Sequence, residues 1–204
     1  MNIITKTPKT KSKTHVDDRF AKIAQLGGAI FHSGDLANLW GITDANTLHT
    51  TLKRYVQRGL LVRIYKGLYA TRPPRELDAQ EVGLAAVHRY AYVSTETVLA
   101  YAGIIQQIVP CTTLVSSVSR RFTIEGQCFR VRLLTDRFLF RSDGITSVRG
   151  VCIATTERAI ADMLYFNPRM YFDGEKAQTI DWDAIRAIEK TIGYPRTARR
   201  GATL

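Results

Sequence analysis

Polar and cationic side chains repeat along one face of a helix predicted between Thr43 and Gly59. These residue types suit contact with duplex DNA, because Asn and Thr can bind base edges while Lys and Arg can bind guanine or phosphates. Asn46, Thr47 and Thr50 lie near the helix N-terminus, the end that a recognition helix points at base edges. A solvated polar face is the alternative interpretation. The candidate residues are Asn46, Thr47, Thr50, Lys53 and Arg54.

A short basic hairpin is predicted directly after this helix. Leu60–Ile64 and Leu68–Ala70 are apolar enough to form two strands, and Tyr65-Lys66-Gly67 would join them. Cations in such a wing lie along the DNA backbone and add affinity without reading sequence. The wing candidates are Arg63, Lys66 and Arg72.

Two further helices must position the polar one. The first is predicted over Val16–Leu26, and the second begins at Ser33 or Asp35 and ends at Leu39. The polar helix itself begins at a cap, Thr43 or Asp44, and carries an apolar stripe that packs inward. That stripe is Ala45, Leu48, Leu52, Tyr55 and Val56. Three helices followed by a basic hairpin predict a winged helix-turn-helix over residues 15–72.

The charge of the chain is concentrated at the same end. The formal net charge is +11 with an isoelectric point near 9.8. Residues 1–75 hold 13 Lys and Arg against 4 Asp and Glu, whereas residues 76–204 hold 16 against 14. A concentrated positive charge favours a polyanionic partner, and double-stranded DNA is the one we expect. Residues 1–14 are predicted to be a disordered basic arm.

The second half has mixed local patterns. Short apolar strands alternate with helices over residues 78–194, which predicts a separate α+β domain. Phe138–Phe140 is among the predicted strands, and Thr155-Thr156-Glu157 opens a predicted amphipathic helix. A basic tail is predicted over residues 195–204. The predicted fold class is therefore α+β, with the winged helix-turn-helix first.

Arginines form a second cluster in this half. Arg130 and Arg132 alternate along one predicted strand and therefore share a side. The cluster would contact DNA further along a site or an acidic partner, unless it is simply the polar face of a sheet. Its members are Arg120, Arg121, Arg130 and Arg132.

Catalytic, metal and cofactor sites are not predicted. Cys111, Cys128 and Cys152 lack metal-ligand spacing and are expected to be free thiols in or beside strands. Arg158 and Asp162 are four residues apart, the spacing of a surface or structural salt bridge. The chain has no nucleotide-binding glycine pattern and no apolar run long enough to cross a bilayer. We expect a cytoplasmic protein with no cofactor and no membrane contact.

Four stretches of the chain carry a family pattern and cover about residues 30 to 166. In chain order they are FHSGDLANLWG, LKRYVQRGLLVRIYKGLYA, AYVSTETVLAYAGI and CIATTERAIADML. Together, and in this order, they resemble the AbiEi family of antitoxins, which belong to the bacterial AbiE-type (type IV) toxin–antitoxin systems.

The resemblance implies a winged helix-turn-helix that represses its own operon and a C-terminal antitoxin domain that counteracts a nucleotidyltransferase-like toxin. Paired or dimeric binding to an inverted-repeat operator is expected, because two half-sites multiply affinity. Two alternatives stay open. One is a stand-alone winged-helix regulator without a toxin, and the other is a protein that modifies or sequesters a toxin.

Overall fold

The computed structural model describes residues 14–148 and 150–195, and side-chain burial from Asp18 onward. The predicted basic arm and tail therefore lie almost wholly outside the described residues. The chain divides into two compact units, one ending at Glu76 and the other beginning at Leu77. Pro74–Glu76 forms a short 3₁₀ helix just before this boundary.

The first unit consists of three helices and a small antiparallel sheet. Its strands lie in the order β1-β3-β2, so the first strand pairs with the last. The elements in chain order are α1 (Thr14–Gln25), β1 (Ile30–His32), α2 (Ser33–Trp40), α3 (Ala45–Gln57), β2 (Val62–Tyr65) and β3 (Leu68–Ala70).

One apolar cluster joins all of these elements except β2. Trp40 on α2 contacts both of the other helices. Its Nε1–H donates to the Arg19 carbonyl of α1 at 3.2 Å, and its ring centroid lies 5.1 Å from that of Tyr55 on α3. The cluster holds α3 by its inner face, and so leaves the outer face uncovered within the unit. Its buried members are Ile23, Phe31, Leu36, Trp40, Leu52, Tyr55, Leu61 and Tyr69.

The second unit is a six-stranded mixed sheet with helices on its faces. The strand order is β6-β7-β5-β4-β9-β8, with parallel pairs β4/β9 and β5/β7 and antiparallel pairs elsewhere. Its strands are β4 (Ala91–Val93), β5 (Cys111–Ser116), β6 (Arg120–Ile124), β7 (Gln127–Leu133), β8 (Ile145–Val148) and β9 (Val151–Ala154). Its α-helices are α4 (Ala79–Val87), α5 (Glu96–Tyr101), α6 (Asp136–Leu139), α7 (Thr156–Phe166) and α8 (Trp182–Ile192).

The α+β class is confirmed. Helix α4 lies unusually close to the sheet because Gly83 has no side chain; a Cβ there would lie 2.4 Å from the Phe129 ring. A hairpin joins β6 and β7 about Glu125-Gly126, with both turn residues at positive φ.

Two expectations about the secondary structure and the cysteines of the second unit are wrong. Phe138–Phe140 is not a strand; Phe138 and Leu139 belong to the short helix α6, where both backbone N–H groups donate to the Thr135 carbonyl and both side chains are buried. Cys111 and Cys128 are not free thiols but form a disulfide, whereas Cys152 is free. The two cysteines occupy paired positions of parallel strands β5 and β7, a proximity that no local spacing reveals.

Candidate nucleic-acid interface

The N-terminus of α3 is capped by Asp44. Its Oδ2 accepts a hydrogen bond from the Thr47 backbone N–H at 2.6 Å, which resolves the predicted choice between Thr43 and Asp44. Hydrogen bonds from the side chain and then the backbone of Thr47 hold the pKa of Asp44 below its usual value. The ionised carboxylate satisfies free N–H groups and fixes the start of the helix.

The outward face of α3 is exposed along its whole length. All five residues predicted on it lie in solvent within the first unit: Asn46, Thr47, Thr50, Lys53 and Arg54. The inward face differs from the predicted stripe at three positions. Ala45 is exposed and Val56 is 37% exposed, while Thr51 is buried and donates its hydroxyl hydrogen to the Thr47 carbonyl at 2.8 Å.

The hairpin of β2 and β3 presents the predicted wing cations. Arg63 and Lys66 are exposed, and Arg72 is exposed just beyond β3. Gly67 has a φ of 72°, which the tight turn requires, and its carbonyl accepts the Ser33 N–H at 2.9 Å. This bond anchors the turn to the first residue of α2, so the wing is held in place by the body of the unit.

These cations have no anionic partners among the residues that the structure describes. None of Lys53, Arg54, Arg63, Lys66 or Arg72 takes part in a salt bridge there. Exposed and unneutralised cations on adjoining elements produce a positive local potential. The geometry can bind the phosphates of a polyanion, and the polar residues at the N-terminal end of α3 can approach its bases.

The second unit contains a fully buried polar network that the predicted site did not include. Arg158 and Asp162 on α7 are completely buried, with Nε and Oδ1 2.8 Å apart. Arg158 Nη2 donates to the Tyr92 hydroxyl at 2.7 Å, and Nη1 donates to the carbonyls of Arg141 and Asp143 at 2.9 Å each. The guanidinium therefore connects α7 to β4 and to the segment after α6.

Asp162 accepts three hydroxyl hydrogen bonds in addition to the ion pair. Its Oδ2 accepts from Tyr92 at 3.0 Å and from Ser94 at 2.7 Å, and its Oδ1 accepts from Tyr194 at 2.6 Å. Burial and then the Asp162 charge raise the pKa of both tyrosines, so their hydroxyls stay protonated and able to donate. Burial is the largest single effect on Arg158 and opposes its charge, but Asp162 together with Tyr92 and Tyr194 outweighs burial and raises the pKa of that guanidinium.

This network decides between the two kinds of Arg158–Asp162 salt bridge that the spacing allows. The pair is structural, because both side chains are inaccessible to solvent and every polar atom of the pair has partners. The sequence shows only an arginine and an aspartate four residues apart on one helix. The structure buries both of them together with the apolar residues between Ala159 and Leu164. The other members are remote in sequence and give no local signal.

The predicted second arginine cluster is divided between two faces of the sheet. Arg120 donates to the Ala86 carbonyl of α4 and stacks over the Phe122 ring, on the face that α4 covers. Arg121 and Arg130 are paired positions of β6 and β7 and lie on the opposite face, where Arg132 also lies, as its alternation with Arg130 predicts. One of the four therefore does not belong to a common patch.

The three arginines on the opposite face already have partners. Arg121 Nη2 lies 3.0 Å from Cys111 Sγ, Arg130 lies 3.9 Å from Glu96, and Arg132 pairs directly with Glu96. Burial would raise the pKa of Glu96, but hydrogen bonds from Thr95 and its own backbone N–H, followed by Arg132, lower it. This carboxylate neutralises part of the positive charge that the sequence pattern suggested.

Metal ligation and membrane insertion find no candidate in the described part of the chain. No three His, Cys, Asp or Glu residues converge there as metal ligands would. None of the described helices is both long and apolar enough to cross a bilayer.

Comparison with known proteins does not assign the chain to a group. No protein-family model matches it, and no curated protein matches it either. The functional interpretation therefore depends on the geometry of the first unit and on the sequence motifs.

Proposed function

We propose that this chain is a DNA-binding transcriptional regulator whose first unit is a winged helix-turn-helix. The observation that carries the proposal is the exposed face of α3, with Lys53 and Arg54 beside Asn46 and Thr50 and no carboxylate paired to either cation among the described residues. The element order and the β1-β3-β2 sheet are those that a winged helix-turn-helix requires. In this proposal α3 enters the major groove and the wing follows the adjacent backbone.

The proposal extends to autorepression and to antitoxin activity in the second unit. Its support is the AbiEi resemblance, whose last two stretches contain Tyr92, Ser94, Arg158 and Asp162. These residues meet in the buried network, so the motifs maintain the fold of the second unit rather than forming an exposed site. The contact with a nucleotidyltransferase-like toxin would use other, exposed residues.

We place the regulator in the bacterial cytoplasm, where operon DNA lies. The Cys111–Cys128 disulfide argues against a cytoplasmic location, because cytosolic thiols are normally kept reduced. Counting reactive thiols after rapid acid quenching of intact cells distinguishes the two states. A cytoplasmic protein with a reduced pair gives three reactive thiols, and an oxidised pair leaves Cys152 alone.

DNA binding is tested by fluorescence anisotropy with the DNA upstream of the chain's own operon and a scrambled duplex of equal length. Lys53→Ala and Arg54→Ala should weaken binding and reduce the slope of log K against log salt by about 0.9 for each phosphate that the variant no longer binds. Asn46→Ala should mainly reduce the preference for the operator. Lys190→Ala, an exposed cation on α8, is the matched control. Unchanged affinity and slope in the α3 variants contradict the proposal.

Antitoxin activity is tested by expressing the neighbouring gene's product with and without this chain. Growth rescue by wild type and by a Lys53→Ala/Arg54→Ala double variant would assign neutralisation to the second unit. Rescue by wild type alone would mean that repression explains the effect. Absence of any toxic neighbour favours the stand-alone regulator.

A further inference from the structure

Three arginines line a half-open cavity of about 200 Å³ in the first unit. Arg19 comes from α1, whereas Arg54 and Arg58 come from the last turn of α3 and the residue that caps it. The remaining lining residues are Thr51, Tyr55 and Gln57. The lining contains no acidic side chain.

The guanidinium groups have no anion to neutralise them among the described residues. None of Arg19, Arg54 and Arg58 forms a salt bridge there. Arg54 and Arg58 are also four residues apart in sequence, a spacing at which like charges repel on a helix. A bound anion would offset this repulsion.

The cavity is held by buried structure on two sides. Trp40 Nε1–H donates to the Arg19 carbonyl at 3.2 Å, which fixes the α1 backbone there. Tyr55 is only 2% exposed and belongs to the core, and the Thr51 hydroxyl is already bonded to Thr47. The side chains left to receive a ligand are therefore the three arginines and Gln57, all of which are donors at their ends.

We propose that this cavity binds one phosphate group. The guanidinium fork matches a phosphate in shape and can donate two parallel hydrogen bonds to it. Arg54 belongs both to the cavity and to the exposed face of α3, so a DNA strand beside α3 would place a backbone phosphate at the cavity. The DNA assignment rests on the proposed function, whereas phosphate binding itself does not. A free phosphorylated ligand shares the chemistry and is separated by the experiment.

The first measurement uses inorganic phosphate with the full chain in a low-salt, phosphate-free buffer. Titration is followed by NMR of the arginine Nε–H resonances. Arg19→Gln and Arg58→Gln should each weaken binding about tenfold, as expected when charge-assisted hydrogen bonds are removed. Arg19→Lys keeps the charge but lacks the guanidinium fork, so its phosphate affinity should lie between those of wild type and Arg19→Gln. Lys190→Gln is the control for net charge, and thermal melts verify that each variant folds.

The second measurement is the salt dependence of DNA binding by the same variants. A DNA phosphate in the cavity predicts that Arg19→Gln and Arg58→Gln each lower the slope by up to about 0.9, the whole contribution of one phosphate, with no change in Lys190→Gln. Phosphate binding with an unchanged DNA slope supports the site and assigns it to a free phosphorylated ligand. Phosphate binding by a chain that does not bind DNA supports the site while the proposed function fails. No saturable phosphate binding and no change in DNA slope overturn the inference.

Discussion

Arginines in the two units have opposite surroundings. In the first unit, the cations of α3 and the wing are exposed and have no acidic partner among the described residues. In the second unit, Arg158 is fully buried beside Asp162, and Arg132 is paired with Glu96. The first set can bind an external anion at little cost, because no internal contact has to be broken.

This comparison shows that a count of basic residues does not locate a binding surface. The arginine-rich segment from Arg120 to Arg132 is as basic as α3 by sequence. The fold uses one of its arginines against α4 and places two others beside Glu96. A cation contributes to a binding surface only if its charge remains unneutralised after folding.

The largest expected effect is on the buried network. Arg158→Met should destabilise the second unit by about 3 to 5 kcal/mol, because Asp162 would be left buried with no cation and two backbone carbonyls would lose their donor. Each unit contains one tryptophan, Trp40 or Trp182, so urea unfolding followed by fluorescence in a Trp40→Phe background reports the second unit.

Arg158→Lys is the matched control for this variant. It keeps the charge but cannot donate in the directions of Nε, Nη1 and Nη2 together, so its stability should lie between wild type and Arg158→Met. A destabilisation below about 1 kcal/mol for Arg158→Met would show that the arginine is not held as described.

The next effect concerns the disulfide between β5 and β7. Reduction should destabilise the second unit by about 3 kcal/mol, since the bond closes a loop over a sequence separation of 17 in the unfolded chain. The measurement is urea unfolding of the second unit with and without a phosphine reductant. A Cys111→Ser/Cys128→Ser variant should have the stability of the reduced protein whether or not reductant is present. Cys152→Ser should lose as much stability on reduction as wild type does. Three reactive thiols in denatured, unreduced protein would refute the bond.

Helix α3 and the hairpin after it were predictable because their signals are local. A capping Asp44, a polar helix face and a Gly59 that ends the helix at positive φ lie within a few residues of one another. The Lys66-Gly67 turn between two short apolar strands is equally local. Such signals depend on the chain's nearest neighbours, so tertiary structure has little chance to override them.

The buried network and the arginine-lined cavity of the first unit depend on contacts remote in sequence. Asp162 meets Tyr92 and Tyr194 only after the sheet and α8 have assembled, and the sequence displays only its spacing to Arg158. The cavity similarly needs α1 to pack beside α3 before Arg19 joins Arg58. The short helix α6 was missed because three apolar residues in a row do not distinguish a buried strand from a helical turn.

A smaller effect is expected from Glu96, the carboxylate that neutralises the second arginine cluster. The pKa of Glu96 is lowered in the folded protein, so its contribution is complete above the unfolded value and is lost as pH falls through the folded value. Glu96→Gln should therefore cost about 1 kcal/mol at pH 7, and this difference should begin to shrink below the unfolded value of about 4.3 and vanish once the pH has fallen below the folded pKa. Unfolding of the second unit against pH measures it. Exposed Glu175→Gln is the control and should change stability at pH 7 by less than about 0.5 kcal/mol, whereas a pH-independent loss in Glu96→Gln would exclude the ionic contribution.

The smallest change in stability should come from the cations that matter most for the proposed binding. Lys53→Ala and Arg54→Ala should alter the free energy of unfolding of the first unit by no more than about 0.5 kcal/mol, because both side chains are exposed and lack a salt bridge among the described residues. A Trp182→Phe background leaves Trp40 to follow this unit. Combined with a large decrease in DNA affinity, a small change in stability is what a surface reserved for an external anion requires. A destabilisation above about 1 kcal/mol would instead place these cations in the internal structure of the unit and remove the contrast with Arg158.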